Sequence, residues 1–319
     1  MGLQSTFALV KPACDMAGVI SADASVGVVE GRMEAHNRHM LISQPCDLPD
    51  FNVPVVDLDF ALRRYDDPEM KLTDANLILE GKSRVKRMPE RKPNARSVIE
   101  THEIDPTSLL AAFQDILPFT IGDPARPWSE GARIDGDTIT ATNSTMLCQA
   151  TLDHGTHFEG VTLSRPLIKY ILQRGHDLKA WGVSEKGILL SFKDGGWVQG
   201  YRMTAEMPDA AVSLLDKAVT EWGDLRECDD DYKAAFLRAG AWSTDVLTVF
   251  PDKIYAGRYS SEHDEPAETN MDCPDGAMFT AKNIAAVMER AASIGFDRFP
   301  SPVPFTTTFG SRGLIAGRV

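Results

Sequence analysis

The sequence predicts an α+β fold of three repeated modules, each with two helices packed on antiparallel sheets, that join into a ring. The first observation is a repeat, because an apolar strand, a short amphipathic helix and further strands follow one another in residues 52–88, 160–203 and 276–319. The second is its spacing, since Asp57 to Ser164 is 107 residues and Ser164 to Ala281 is 117. The third is the length, because 319 residues fit two or three cores better than one.

The second helix of each copy has one apolar face. Apolar residues recur there at i, i+3 and i+4, which is the spacing of a helix buried along one side. They are Leu58, Ala61, Leu62 and Tyr65, then Ile168, Ile171 and Leu172, then Ile284, Val287, Met288 and Ala291. In the middle copy Ser164 fits an N-cap and Gly175 a stop.

A first amphipathic helix precedes each of these by some 40 to 50 residues. The apolar positions are Ala13, Met16, Ala17 and Ile20, then Leu110, Phe113 and Leu117, then Tyr232, Ala235, Phe236 and Ala239. Strands are expected between the two helices of a copy, for example in residues 31–43 and 132–148. Each copy therefore consists of two halves of similar design.

After the second helix, residues 178–183, 188–192 and 197–203 predict an antiparallel meander, because turn residues such as Asp194-Gly195-Gly196 separate them. The predicted modules are 1–101, 102–219 and 220–319. Chains of such units can curve and close, which pairs the free sheet edges of neighbours.

Composition limits the function classes. The chain has 33 basic and 46 acidic residues, a net charge of −13, which argues against a protein that coats nucleic acid with its whole surface. No run approaches the roughly 20 apolar residues of a membrane span, and the N-terminus lacks a secretory signal. We therefore expect a cytoplasmic protein without a membrane partner. Its five scattered cysteines are expected to be reduced thiols, mostly buried.

An enzyme is not indicated. The sequence contains no GxxxxGK[ST], GxGxxG, GxSxG or HExxH motif. His154 and His157 form an HxxH pair in a loop, but two further matched ligands are lacking, so surface histidines are the better interpretation. We expect no catalytic residues, no metal and no cofactor.

Three segments resemble the bacterial DNA sliding clamp family. Residues 141–147, Ala-Thr-Asn-Ser-Thr-Met-Leu, stand where the family has its ATDGHRLA turn. Residues 183–195 read VSEKGILLSFKDG, similar to the family's VSENQILFKFGDG, and are followed by Met207-Pro208-Asp209. The ending GLIAGRV takes the place of VMPMRL. Because Asn143-Ser144-Thr145-Met146 and Ala316-Gly317 depart from the family pattern, a divergent member, such as a phage-encoded clamp, is expected.

The resemblance implies a DNA polymerase processivity factor. Such a clamp would encircle double-stranded DNA without sequence preference as a head-to-tail homodimer, with helices lining the channel. It would tether DNA polymerase and the clamp loader through short hydrophobic peptides. The alternative is a clamp-fold scaffold that binds proteins without encircling DNA.

The charge on the second helices agrees with a DNA channel. They carry seven basic residues against the four acidic residues Asp57, Asp59, Asp66 and Glu289. Together with Lys233 and Arg238 on the first helix of copy three, the expected phosphate contacts are Arg63, Arg64, Arg165, Lys169, Arg174, Lys233, Arg238, Lys282 and Arg290. The alternative for each is a charge that merely solvates a helix face.

A denser basic cluster follows in copy one: Lys82, Arg84, Lys86, Arg87, Arg91, Lys92 and Arg96. It is either a solvated edge or the complement of Glu262, Asp264, Glu265 and Glu268 in copy three across a subunit boundary.

The resemblance also implies a hydrophobic peptide cleft between the second and third modules. Its residues would be Thr142, Ser144, Thr145, Met146, Leu147, Leu214, Leu215, Leu314, Ile315, Gly317, Arg318 and Val319. The pair Ala316-Gly317 is expected to leave room for a bulkier anchor. The alternative is that Met146, Leu215 and Ile315 are ordinary core residues.

Overall fold

The protein is described by a computed structural model that covers residues 2–16, 24–123, 125–153, 160–219, 222, 225–243, 245–251, 253–257, 264–266 and 276–318. The side chains of 212, 216–219 and 264–266 are not part of the description. The chain divides into two compact units. Unit 1 comprises Met1–Pro106 and Pro166–Met203, and unit 2 comprises Thr107–Arg165 and Thr204–Val319. The division into three modules, 1–101, 102–219 and 220–319, stays a prediction from the repeat.

The helices are Leu3–Val10 (α1), Val55–Leu62 (α2), Pro106–Ile116 (α3), Arg165–Arg174 (α4), Asp209–Val219 (α5), Asp230–Trp242 (α6) and Ala281–Met288 (α7). The expected apolar faces of α2, α4, α6 and α7 are largely buried, as the periodicity predicted. Gly175 opens a short 3-10 turn directly after α4, which confirms the expected stop. Within the described part of the chain, every helix is too short or too polar to span a bilayer.

The expected position of the first helix was wrong. The helix is α1, and it buries Leu3, Phe7 and Val10 at i, i+4 and i+7, which is the spacing of one helix face. Pro12, which cannot continue a helix, lies in the 3-10 turn Lys11–Ala13 that follows. Met16 lies beyond this turn, and the expected positions Ala17 and Ile20 fall outside the described residues.

Ser164 precedes α4 as expected, but it does not cap the helix. Its hydroxyl oxygen is buried and makes no hydrogen bond. The four residues before the helix form a strand, so the Ser164 backbone belongs to the sheet.

The strands, in chain order, are Ser25–Val29 (β1), Arg32–His36 (β2), Met40–Pro45 (β3), Phe51–Pro54 (β4), Met70–Leu72 (β5), Asn76–Leu79 (β6), Ser83–Lys86 (β7), His102–Glu103 (β8), Gly131–Asp135 (β9), Thr138–Thr142 (β10), Met146–Thr151 (β11), Val161–Ser164 (β12), Leu178–Ser184 (β13), Gly187–Phe192 (β14), Trp197–Tyr201 (β15), Arg226–Glu227 (β16), Val246–Val249 (β17), Lys253–Ala256 (β18), Asp264–Pro266 (β19), Ala277–Thr280 (β20), Ala291–Ile294 (β21), Val303–Thr307 (β22) and Arg312–Ile315 (β23). The predicted meander corresponds to β13, β14 and β15.

Each unit contains one sheet of eight strands. The order in unit 1 is β4-β1-β2-β3-β15-β14-β13-β8, and in unit 2 it is β12-β9-β10-β11-β23-β22-β21-β16. The two orders match strand for strand, and all pairs are antiparallel. Each of the two sheets is joined at its centre by one strand pair, β3 with β15 in unit 1 and β11 with β23 in unit 2.

Each unit also contains one shorter sheet. Unit 2 has the order β19-β18-β17-β20, which repeats the arrangement β3-β2-β1-β4. Unit 1 has β5-β6-β7, which repeats β13-β14-β15. By this correspondence β19 is the equivalent of β3 and β11, and β7 is the equivalent of β15 and β23. Among the described strands, β19 and β7 each pair on one side alone.

The cysteines are mainly core residues, as expected. Cys14, Cys148 and Cys228 are buried free thiols and Cys46 is half-buried, while Cys273 falls outside the described residues. Burial raises the pKa of the Cys14 and Cys228 thiols to about 12, so neither is a reactive thiolate.

Candidate nucleic-acid and peptide interfaces

One wall of the expected cleft is the turn between β10 and β11. The Asn143 carboxamide oxygen accepts hydrogen bonds from the Met146 N–H at 2.8 Å and the Thr145 N–H at 3.1 Å. The Thr142 hydroxyl donates to the Met146 carbonyl at 2.6 Å. Ser144 has φ 77°, in the left-handed region that costs energy for a residue with a Cβ. This conformation is held by the surrounding bonds and leaves Ser144 and Thr145 exposed.

The other wall is β23, directly paired with β11. Met146 lies opposite Ile315 and Leu147 opposite Leu314, and the Ala316 N–H donates to the Thr145 carbonyl at 2.8 Å. Leu147, Leu314 and Leu215 of α5 form a buried cluster, against which the half-buried Trp222 packs. The structure therefore brings the two predicted walls together within unit 2.

The burial of these side chains matters for their role. Met146 and Ile315 are 1% and 0% exposed, which is what the alternative of ordinary core residues expects. Leu214 is 48% exposed and stands on α5 beside the cluster. The accessible members of the expected cleft are thus Ser144, Thr145 and Leu214, with half-buried Gly317 and Arg318.

The end of the chain is fixed differently from the expectation. The Arg318 N–H donates to the Met278 carbonyl at 2.8 Å, and its guanidinium binds Asp245 Oδ1 at 2.6 Å. A Cβ on Gly317 would lie 2.3 Å from the Phe299 ring. The expectation that Ala316-Gly317 leaves extra room is therefore wrong, because the Phe299 ring fills that space. Val319 falls outside the described residues.

Sequence reasoning missed Trp222 in this cluster. Its indole nitrogen Nε1 is buried without a hydrogen-bond partner. A single tryptophan within a polar stretch between two modules was the available signal, because large aromatic residues seldom stay in solvent.

The basic residues Arg63 and Arg64, directly after α2, lie at the surface of unit 1. The Arg63 guanidinium binds Asp59 Oδ2 at 2.6 Å, and Lys11 binds the other oxygen at 2.5 Å. Burial alone would raise the pKa of Asp59, but the hydrogen bonds from Lys11 and Arg63 outweigh it and hold the pKa below its usual range. Arg64 stacks on the exposed Phe60 ring at 4.3 Å. Both arginines keep a large exposed surface.

The basic residues of α4 differ in how far they are exposed to solvent. Lys169 is exposed, and Arg165 is half-buried with a buried Nε that has no hydrogen-bond partner. Arg174 is only 8% exposed and lies inside unit 1. Its guanidinium donates to Asp194 Oδ2 at 2.8 Å and to Gln44 Oε1 at 3.3 Å, and it stacks on Phe192 at 4.5 Å.

Arg174 as a phosphate contact was therefore wrong. Its charge is already compensated by Asp194, and its side chain is almost fully buried. Periodicity did not reveal this, because the partner carboxylate lies on a distant turn between β14 and β15.

The basic residues of unit 2 are mostly accessible. Arg238 and Lys282 are exposed, and Lys233 is half-buried. Arg290 is half-buried and has a buried Nε without a hydrogen-bond partner. Of the nine expected phosphate contacts, five are exposed: Arg63, Arg64, Lys169, Arg238 and Lys282.

The basic cluster of copy one is centred on the edge strand β7. Lys82, Arg84 and Lys86 are exposed, whereas Val85 between them is buried. Arg96 stacks on the Trp197 ring at 5.7 Å. The acidic counterpart contains β19, of which the backbone alone is described, while Glu262 and Glu268 fall outside the described residues.

The described side chains do not form an evident catalytic centre. No group of three or more His, Cys, Asp or Glu residues that could hold a metal occurs among them. His154 and His157 fall outside the described residues.

No protein-family model matches the chain, and no curated protein matches its sequence. Solved structures do match it over its length. The sliding clamp (DNA polymerase III subunit beta) of Bartonella birtlesii bound to griselimycin has a TM-score of 0.80 at 12% identity, covering 99% of this chain and 97% of that chain. The polymerase III beta subunit of Caulobacter crescentus has a TM-score of 0.77 at 15% identity, covering 100% and 98%. The Helicobacter pylori beta clamp bound to a DNA ligase peptide has a TM-score of 0.74 at 11% identity, covering 99% and 97%. Helices, antiparallel sheets and the repeated strand order therefore give this chain the fold of the bacterial beta sliding clamps, in a divergent sequence.

Proposed function

We propose that the protein is a DNA sliding clamp, a processivity factor that encircles duplex DNA and tethers DNA polymerase and other replication proteins. The observation that carries the proposal is the pair of unmatched sheet edges, β7 and β19, in a chain with the beta-clamp fold. It is a binding protein and not an enzyme.

The internal repeat supports the proposed ring closure. Within the chain, the strands equivalent to β19 pair with the strands equivalent to β7, at β3–β15 and β11–β23. The same pairing between β19 of one chain and β7 of another would join the four-stranded sheet and the three-stranded sheet into one sheet of seven strands. In a head-to-tail homodimer with two such junctions, neither β7 nor β19 is left as an open edge, which removes two sites of unwanted strand addition.

The charges of the two edges support this pairing. The basic side chains Lys82, Arg84 and Lys86 are exposed on and next to β7. The sequence at β19, with Asp264 and Glu265 and the flanking Glu262 and Glu268, is acidic. Opposite charge favours the correct ends and disfavours like ends.

The DNA contacts are proposed to be few. Lys169 on α4 and Lys282 on α7 are exposed on equivalent helices of the repeat, and Arg63 and Arg64 follow α2. In a chain of net charge −13, a small set of cations on the second helices can attract phosphates without binding them tightly. Such weak, sequence-independent contacts suit a ring that slides.

Partner binding is proposed at the cleft in unit 2. The bound DNA ligase peptide of the Helicobacter pylori clamp is a precedent for peptide ligands on this fold. Here the accessible surface would be formed by Ser144, Thr145 and Leu214 around the Leu147–Leu314 cluster. A peptide that buries one large apolar side chain there gains roughly 1.5–3 kcal/mol.

The test separates encirclement from simple binding. The protein is dissociated in high-salt buffer, returned to low salt with nicked circular plasmid, and passed through a gel-filtration column. We expect a species of twice 35.0 kDa in the absence of DNA, co-elution with the circle, and release when a restriction enzyme linearises it. Equal retention on linear plasmid would indicate side binding, and a dimer that no plasmid retains would support the scaffold alternative.

A further inference from the structure

The turn that forms one wall of the cleft in unit 2 has a twin in unit 1. The Asn37 carboxamide oxygen accepts from the His39 N–H at 2.8 Å and the Met40 N–H at 3.0 Å, as Asn143 does from Thr145 and Met146. The Tyr201 N–H donates to the His39 carbonyl at 2.9 Å, in the place of the bond from Ala316 to Thr145. Both turns continue into Met-Leu at the start of a strand. The same wall is therefore built twice.

In unit 1 this wall is covered by an extended segment of the chain, residues 94–99. The buried Glu34 carboxylate accepts two hydrogen bonds from Asn94, from its N–H at 3.0 Å and its carboxamide Nδ2 at 2.8 Å. The buried Gln199 carboxamide accepts from the Ser97 N–H at 2.9 Å and donates to the Ser97 hydroxyl at 2.7 Å. Glu34 and Gln199 are 3% and 5% exposed, so both are interior polar groups committed to this segment.

An apolar anchor completes the contact. Ile99 is buried in a cluster with Leu41, Leu189 and Trp197, whereas its neighbour Val98 is 99% exposed. Gly182 allows the backbone to approach, because a Cβ there would lie 1.8 Å from the Glu100 carbonyl oxygen. The segment thus lies on the sheet as a bound peptide does, with backbone and side-chain hydrogen bonds at two positions and one buried branched side chain.

The equivalent wall in unit 2 lacks these polar groups. Strand pairing places Leu314 opposite Leu147 where Gln199 lies opposite Leu41. Thr140 lies opposite Gln149 where Glu34 lies opposite Ser43. The two walls share a backbone design, and among the described residues the wall in unit 1 is the one whose side chains hold an extended segment.

We propose that the wall of Glu34, Leu41, Trp197 and Gln199 is a second peptide-binding groove, and that residues 94–99 occupy it as a built-in ligand. Its external ligand is an extended peptide with the same pattern: an amide side chain, a hydroxyl three residues later and a branched apolar residue two residues after that. Such a peptide binds when the built-in segment leaves. This goes beyond the proposed function and does not depend on DNA or on ring closure.

The probe is a fluorescein-labelled peptide with the sequence of residues 92–100, KPNARSVIE, and the readout is fluorescence anisotropy with the full-length protein. The variant N94A/S97A/I99A removes the anchors of the built-in segment and leaves the groove intact. We expect it to bind the probe, and the wild type to bind at least about tenfold more weakly, the equivalent of one hydrogen-bonded anchor. The matched control Val98→Ala changes an exposed residue of the same segment and should behave as the wild type.

Further variants and a changed probe test whether the peptide binds in the groove. Adding Gln199→Ala to the triple variant, or replacing the isoleucine of the probe by aspartate, should abolish binding. If the triple variant loses its native circular dichroism, the single variant Ser97→Ala is used instead. Equal binding by wild type, Val98→Ala and the released variant overturns the proposal, as does the absence of binding by a folded released variant. Loss of binding on Leu214→Asp also overturns it, since the probe would then occupy the cleft in unit 2, and the proposed function would stand.

Discussion

Replacing Arg174 by alanine should destabilise the protein without changing its response to DNA. The guanidinium is 8% exposed, donates to Asp194 and Gln44, and stacks on Phe192. Its removal leaves the Asp194 carboxylate with Gln44 and the Gly196 N–H as hydrogen-bond donors. It also removes the stacking contact with the Phe192 ring on β14.

The magnitude follows from the burial of the pair. Removing one partner of a fully buried ion pair costs about 3–5 kcal/mol. Because the Asp194 side chain is 32% exposed, water can hydrate part of it, and we expect a loss of about 2–3 kcal/mol. For a folded unit of the size of unit 1, this loss of stability corresponds to a decrease in Tm of about 5–10 °C.

The effect should depend on pH with a defined sign. Burial would raise the pKa of Asp194, but hydrogen bonds from Gly196, Gln44 and Arg174 outweigh it, so the folded-state pKa lies below 3.8. A carboxylate with a lowered pKa contributes stability above its unfolded pKa and loses it as the pH falls through the folded one. The Tm difference between wild type and variant should have its full size at pH 7 and should become smaller below pH 3.8.

Thermal unfolding followed by circular dichroism measures the difference, and Lys169→Ala on the same helix is the control, because Lys169 is exposed. The control should stay within about 0.5 kcal/mol of the wild type. An Arg174→Ala variant with an unchanged Tm and a smaller salt dependence of DNA binding would refute the reasoning, since it would make Arg174 a phosphate contact.

Three further predictions concern the proposed interfaces. The double variant K169E/K282E should fold normally, and the slope of log K for DNA against log salt should fall by about one unit for each lost phosphate contact; an unchanged slope would remove both residues from the channel. Leu214→Asp should weaken binding of polymerase-tail peptides by at least about tenfold in anisotropy without altering the Tm, and equal affinity would place the partner site elsewhere. The triple variant K82E/R84E/K86E should be monomeric by analytical ultracentrifugation at low salt. Changing Glu262, Asp264, Glu265 and Glu268 to lysine in the same chain should restore the dimer. A triple variant that stays dimeric would contradict the pairing of β7 with β19.

Much of the fold could be predicted because the repeat carries the same periodicity several times. Tyr232, Ala235, Phe236 and Ala239 lie buried on α6 as their spacing indicates, and the three strands of the middle meander are where the turn residues place them. The position of the first helix was predicted wrongly because two overlapping apolar patterns are present near the N-terminus. Pro12 decides between them, since it ends a helix that begins at Leu3.

The site residues were harder to predict, because burial depends on partners distant in sequence. Arg174 and Lys169 have the same charge and share a helix, yet Asp194 and Gln44 hold the first inside. Residues 94–99 have no periodicity and look like a simple linker. Their role depends on Glu34 and Gln199, which face them from strands about 60 and 100 residues away in the chain.

The edge strands β7 and β19 differ in charge, so the two ends of the chain are not equivalent for association. An isologous dimer needs one patch that complements itself, and neither a basic edge facing a basic edge nor an acidic edge facing an acidic one meets that condition. If β7 pairs with β19 as proposed, copies of the chain add to one another in one direction alone. Whether they then close into a ring or grow into a filament depends on the rotation at each junction, so a substitution that alters this rotation would convert the proposed ring into a filament without changing any charge.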